Sequence, residues 1–249
     1  MMINPLVVVT VSRSWNSIIE QNFQTCIRNG VKFVWINHFL EPNKELNFEF
    51  KKDSSELIIL NVECGAEYVE AFLYRALKHI GLKDWCLLIA GDELISSESI
   101  SKIIKKIDFL NEKTIYAINR LWIMHRFDGY YYSNNAAALS GGFDYQFRLF
   151  KTSKLKEDSG LHTPGFKVKK SVNLELSIDI IHLIWELEDI SQRIDKIKKY
   201  DSISMGGGRG KLRYYLPELF LDSEHRWTKL DAANEGIVDS WKKIHYLQI

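Results

Sequence analysis

The segment Leu6 to Val11, Leu-Val-Val-Val-Thr-Val, is an unbroken aliphatic and β-branched run. A strand solvated on one face alternates apolar with polar residues, so this one is expected to be covered on both faces. Helical signals follow it. Ser17 and Glu20 form a capping-box pair, Ile19, Phe23, Cys26 and Ile27 recur at helical spacing, and Gly30 ends the pattern. Val31 to Phe39 and Leu57 to Val62 read as strands separated by a polar stretch. Val69, Leu73, Ala76, Leu77 and Ile80 form one helix face, Trp85 to Ala90 a buried strand, and Ile100, Ile103, Ile104, Ile107 and Leu110 a further amphipathic helix. Strands alternating with helices in this way imply an α/β fold with a mostly parallel central sheet and right-handed crossovers.

The second half changes character. Ile115 to Met124 alternates in its middle and Asp144 to Phe150 alternates throughout, which predicts antiparallel edge strands. A strand at Leu174 to Leu183, a helix from Ser191 to Tyr200 and a glycine-rich loop at Gly206 to Gly210 complete the reading. One domain over 1–249 is expected, with a first half at 1–112 and a variable, helical second half at 113–249.

Composition narrows the function classes. Lys+Arg number 33 against 32 Asp+Glu, and a net charge of +1 suits neither nucleic-acid coating nor an acidic tail. Cys26, Cys64 and Cys86 are odd in number, far apart and set in apolar stretches, so they read as reduced, packed thiols. The apolar run near the first residue lacks a basic leader and is too short to span a bilayer. The expected location is the cytoplasm, with peripheral membrane association left open.

The chemistry signal is Asp84-Trp-Cys-Leu-Leu-Ile-Ala-Gly-Asp92-Glu93, an apolar strand that delivers two carboxylates where it ends. Ligands of open α/β sheets bind beyond the carboxyl ends of the strands, and hard oxygen ligands there suit Mg²⁺ or Mn²⁺ shared with substrate phosphates. Asp92 and Glu93 can equally be solvated residues ahead of the next helix, favourable to its dipole.

These residues resemble the metal motif of family 2 type glycosyltransferases of the GT-A fold, Trp-x-Leu-x-Leu-Asp-Ala-Asp-Glu. Trp85, Leu87, Ile89, Asp92 and Glu93 match in register, with Ala90 in place of the first acid. Val8-Val-Thr-Val-Ser12 is similar to the family's opening strand and Arg75-Ala76-Leu77 to its Arg-Asn-x-Ala-Leu helix. Arg148-Leu-Phe150 with Gly160-Leu-His162 resembles Arg-Leu-Phe…Gly-x-His-Glu, with Thr163 in place of the glutamate; His182 resembles a later histidine of the same proteins, its other reading being a hydrogen-bonded core residue, and Ser191, Arg193, Lys196 and Tyr200 resemble a later helix. The likeness spans residues 6 to 200 as weak motifs in the correct order.

The resemblance implies a GT-A (Rossmann-like) sheet and transfer of a sugar from a nucleotide-diphosphate sugar, a uridine diphosphate sugar for preference, to a hydroxyl acceptor. It implies Mn²⁺ or Mg²⁺ at Asp92, with Glu93 and His182 as further ligands, to neutralise the leaving diphosphate. Thr10, Ser12 and Arg13 fall where such proteins cradle base and ribose. Asn37 ends the strand that usually offers an acid to the base, and its amide has both donor and acceptor for a uracil edge. A carboxylate must take the acceptor's proton, and Asp158, then Asp144, are the candidates, with Glu157 beside them. Arg209 and Lys211 give the glycine-rich loop counter-charges for a diphosphate, although no Walker motif is formed and a plain connector fits as well. The aromatic run Trp122 to Tyr132 suits stacking against a sugar, or core packing. The alternative is a nucleotide- or glycan-binding protein on the same scaffold that lost turnover through Ala90 and Thr163. A nucleotidyltransferase is disfavoured, because Ser12-Arg-Ser-Trp-Asn16 carries no glycine-rich basic signature after the first strand.

Overall fold

The computed structural model describes residues 6–40, 45–64, 73–126, 128–133, 145–154, 171–173, 178–203, 212–217 and 227–247. Four strands form its parallel centre: β1 (Leu6–Ser12), β2 (Lys32–Leu40), β4 (Leu57–Cys64) and β5 (Trp85–Ala90), in the order β4-β2-β1-β5. The crossovers carry α1 (Ser17–Arg28) between β1 and β2, and α2 (Leu73–His79) between β4 and β5. β1 is buried along Leu6 to Thr10, as a strand with both faces covered must be. Leu6, Val8, Leu87 and Ile89 pack with α1 on one face, while Val7, Val9, Cys86 and Leu88 pack with α2 on the other.

Antiparallel pairing extends the sheet. β3 (Asn47–Asp53) closes one edge against β4. β9 (Tyr145–Lys151) lies antiparallel between β5 and β7 (Ile115–Arg126), and β7 turns into β8 (Gly129–Ser133), with β12 (Trp227–Lys229) beyond. β9 and β7 are therefore interior strands, not edges. β10 (Ser171–Asn173) and β11 (Asp179–His182) run parallel to β7, and the short β6 (Glu93–Ile95) pairs with β11.

Several expectations need correction. The polar stretch before β4 forms β3, which alternation does not betray because the strand is almost wholly exposed. The cap of α1 is Asn16, whose Oδ1 accepts from Ile18 N and Ile19 N, each at 3.0 Å. Ser17 lies inside the helix and is buried; its Oγ accepts from Trp241 Nε1 at 3.0 Å and lies 3.2 Å from His245 Nδ1, both on α7 (Ala232–Leu247). The described part of the strand expected at 174 to 183 is β11, and 174–177 lie outside the described residues. α3 (Ser97–Lys106), α4 (Ile184–Leu187), α5 (Ile190–Ile203) and the short α6 (Leu212–Tyr215) complete the helices. Cys26 and Cys86 are fully buried free thiols whose ionisation burial pushes up. Among the described residues no helix is long and apolar enough to cross a membrane.

Candidate active site

β5 ends at Ala90, and a two-residue turn, Gly91 and Asp92, leads into β6. The turn lies against the end of β1: a Cβ added at Gly91 would stand 2.9 Å from Ser12 Cβ, so glycine is required by close approach. Leu183 N donates to Asp92 O at 2.9 Å, fixing the turn to the end of β11. β11 then brings His182 opposite Glu93 in the ladder, and His182 Nε2 meets Asp92 Oδ2 at 3.3 Å. Asp92, Glu93 and His182 thus converge, each with one ligand atom within 4.8 Å of the others. Asp92 and Glu93, consecutive in the sequence, and His182, far along the chain, form one cluster at the carboxyl end of the central sheet.

The two acids are not equivalent. Glu93 has no exposed surface, and its Oε1 accepts from Arg148 Nη2 at 2.5 Å and from Arg120 Nη1 at 3.3 Å. Its Oε2 accepts from Ala90 N at 2.8 Å. Both oxygens are thereby engaged by donors, two of them charged, which leaves Glu93 poorly suited to a cation and well suited to locking β9, β7 and β5 together. Asp92 is about one-third exposed in its side chain, and its carboxylate pairs with His182. Burial alone would raise its carboxyl. The charge and hydrogen bond of His182, with Arg120 and Lys196, overcome that and hold it well below the ordinary carboxylate range.

Asp92 can only accept when ionised, so His182 Nε2 carries the proton between them. His182 Nδ1 is buried without a hydrogen-bond partner. The imidazole is clamped by Trp122, whose ring lies 3.9 Å away centroid to centroid, and Arg120 in turn stands 4.8 Å over the Trp122 ring. The position now bridged by a proton, between an ionised carboxylate oxygen and an imidazole nitrogen, fits a divalent cation when that proton is given up.

Sequence reading missed the basic surround of this cluster. Arg120 carries no motif, and its approach depends on the pairing of β7 with β11. Lys196 on α5 pairs with Glu188 Oε1 while also acting on Asp92, and Glu188 Oε2 is buried with no hydrogen-bond partner. Glu188 lines an open cleft of about 770 Å³ formed by residues 185–193.

The remaining candidates separate. Thr10, Ser12 and Asn37 lie together at the carboxyl ends of β1 and β2, with Ser12 opposite Asn37, and Arg13 is exposed beside them. Arg75 is exposed in the first turn of α2. Arg193 is buried and donates to Tyr215 O at 2.9 Å, a structural tie between α5 and α6. Trp122 is also buried, so this aromatic is packing for His182 and cannot stack on an acceptor, whereas Tyr131 and Tyr132 are half-buried. Asp144, Glu157, Asp158, Thr163, Arg209 and Lys211 lie outside the described residues. No family model matches the chain, and no curated protein matches it.

Proposed function

We propose that the chain is a metal-dependent glycosyltransferase that moves a sugar, of hexosyl type, from a nucleotide-diphosphate sugar to an acceptor hydroxyl, with uridine diphosphate as the favoured carrier. One observation carries this reading: Asp92 and His182, ninety residues apart in the sequence, meet at 3.3 Å where the central strands end. The GT-A resemblance adds to it, as does a mostly parallel centre flanked by antiparallel strands.

In the transfer, the bond from the anomeric carbon to the diphosphate oxygen breaks, a bond to the acceptor oxygen forms, and the acceptor's proton goes to a base. Mn²⁺ or Mg²⁺, when bound, supplies charge neutralisation at the diphosphate. Asp92 and His182 would hold it, and Glu93 would hold the arginines instead. Arg120 and Lys196 add a fixed positive field that favours phosphate oxygens at Asp92. Asp158 and Asp144 stay as sequence candidates for the base, and Glu188 Oε2 joins them as a carboxylate oxygen without a donor.

A second reading is a nucleotide- or glycan-binding protein without turnover, favoured by Ala90 and by the engagement of Glu93 with Arg120 and Arg148. Calorimetry of uridine diphosphate with and without Mn²⁺, followed by donor hydrolysis across several nucleotide sugars, separates the two. Metal-tightened binding with hydrolysis supports the enzyme, and metal-tightened binding without hydrolysis the binding protein. Metal-independent binding, or none, overturns the metal site in both.

A further inference from the structure

At the opposite end of β5 from Asp92, the turn that leaves α2 borders a cavity of about 270 Å³. α2 stops in a Schellman motif. Gly81 takes a φ of +71°, its N–H donates to Lys78 O at 3.0 Å, and Leu82 N donates to Leu77 O at 3.2 Å. Leu82 is thereby folded back onto the core that contains Leu77. The facing wall is Thr152 and Ser153, which follow β9 directly. Thr152 is buried, and its Oγ1 donates to Leu82 O at 2.5 Å, so the two walls are tied to each other.

The chemistry of this cavity is divided. Tyr74, Leu77 and Leu82 make it apolar inside, while Lys78 and Lys83 line it as exposed residues. No carboxylate lines it, and among the described residues neither ammonium has an ion-pair partner. Nor does the helix end need them, because the carbonyls of Leu77 and Lys78 are already taken by the Schellman bonds. An apolar interior beside two unspent positive charges is complementary to an amphipathic anion. Its hydrocarbon gains by leaving water and its charge gains from the ammoniums. A neutral apolar molecule would leave the lysines unanswered, and a bare anion would leave Leu77 and Leu82 wet. At about 30 Å³ for each water-sized group, the volume holds on the order of nine heavy atoms, a short chain and not a long lipid tail.

We infer that this cavity is a second ligand site and that it takes a medium-chain acyl carboxylate, with the chain between Leu77, Leu82 and Tyr74 and the head between Lys78 and Lys83. β5 separates it from Asp92 by its six residues, about 20 Å of strand, and the two sites share no residue. The inference therefore stands apart from the glycosyltransferase reading.

The test titrates the full chain with octanoate, octanol and acetate, reading affinity by calorimetry and the Leu77 and Leu82 methyl groups by NMR. Octanoate is expected to shift those methyls saturably and to bind about tenfold more tightly than octanol, the scale of two exposed ion pairs, with acetate weaker than both. Lys78→Gln with Lys83→Gln should bring octanoate to the affinity of octanol, and high salt should do the same to the unmodified chain. Ser153→Phe puts a ring at an exposed lining position and should abolish binding of both chains with the urea midpoint unchanged. Octanoate binding no tighter than octanol, or a preference that survives loss of both lysines, overturns the inference. Leu77 and Leu82 methyls that octanoate leaves unmoved, or binding that persists in folded Ser153→Phe, overturn it as well, since the chain then lies elsewhere.

Discussion

Glu93 and Arg148 form an ion pair at 2.5 Å in which the carboxylate has no exposed surface and the arginine side chain is 12 % exposed. The same oxygen receives Arg120, itself 11 % exposed in its side chain. A buried carboxylate shared by two guanidiniums is a framework contact, because removing it strands two charges that water barely reaches. Glu93→Gln should therefore lower stability by about 3–5 kcal/mol, read by urea unfolding. A variant of unchanged stability that loses Mn²⁺ affinity would return Glu93 to the ligand set.

Asp92 should behave in the opposite way. Its side chain is one-third exposed and, among the described residues, bonded to His182, and its acceptance of Leu183 N is made by the main chain and survives substitution. Asp92→Asn is expected to cost less stability than Glu93→Gln, because the amide oxygen can still accept from His182, and to abolish Mn²⁺-dependent binding of uridine diphosphate. Unfolding of the variant with normal Mn²⁺ and nucleotide binding in its residual native fraction would make Asp92 structural.

These two acids show how far the sequence could be read. Asp92 was legible because a continuous apolar strand ends just before it, and β1, β2, β4 and β5 were legible because short, β-branched apolar runs between polar stretches mark strands covered on both faces. The division of labour between Asp92 and Glu93 was not, since it depends on guanidiniums delivered by β7 and β9. β3 was hidden because Asn-Phe-Glu-Phe-Lys-Lys-Asp lies at an edge and buries little. Ser17 followed by Glu20 has the pattern of a capping box, but Asn16 takes the cap and the serine hydroxyl is used by α7.

The pH dependence of stability should carry a step from His38. Burial first, and then the charge of Arg13, lower its pKa from 6.5 to about 4, and its Nδ1 is buried without a partner. The folded chain keeps this ring neutral where the unfolded chain protonates it. Its stability is therefore fully retained above about pH 6.5, falls as the pH drops from 6.5 toward about 4, and loses nothing further to this group below that. His38→Gln should flatten that step in the difference between its stability curve and that of the unmodified chain. Parallel curves through this window would show that His38 protonates freely in the fold.

Gly91 ties the Asp92 turn to the carboxyl end of β1. A methyl group there would meet Ser12 Cβ at 2.9 Å and Val11 O at 3.3 Å, both on a central strand whose backbone is held by neighbours on each side. The turn must give, and Asp92 moves with it. Gly91→Ala is expected to cost about 1–3 kcal/mol, the range of overpacking at a well-packed site, and to weaken Mn²⁺-dependent nucleotide binding more than tenfold. Full stability with full binding would mean that the turn has slack.

The contact of α7 with α1 gives a prediction independent of ligands. Trp241 is buried and can only donate through Nε1, so Ser17 Oγ accepts from it, and the same oxygen lies 3.2 Å from His245 Nδ1. One hydroxyl thus satisfies a buried indole N–H and links α1 to two side chains of α7. Ser17→Ala leaves that N–H without an acceptor at a cost of about 1–3 kcal/mol. Because α7 packs on α1 through this point, the loss should appear as faster hydrogen exchange over 232–247 and little change in β1, β2, β4 and β5. Uniformly faster exchange across the sheet would show instead that α7 and the central strands open as one unit.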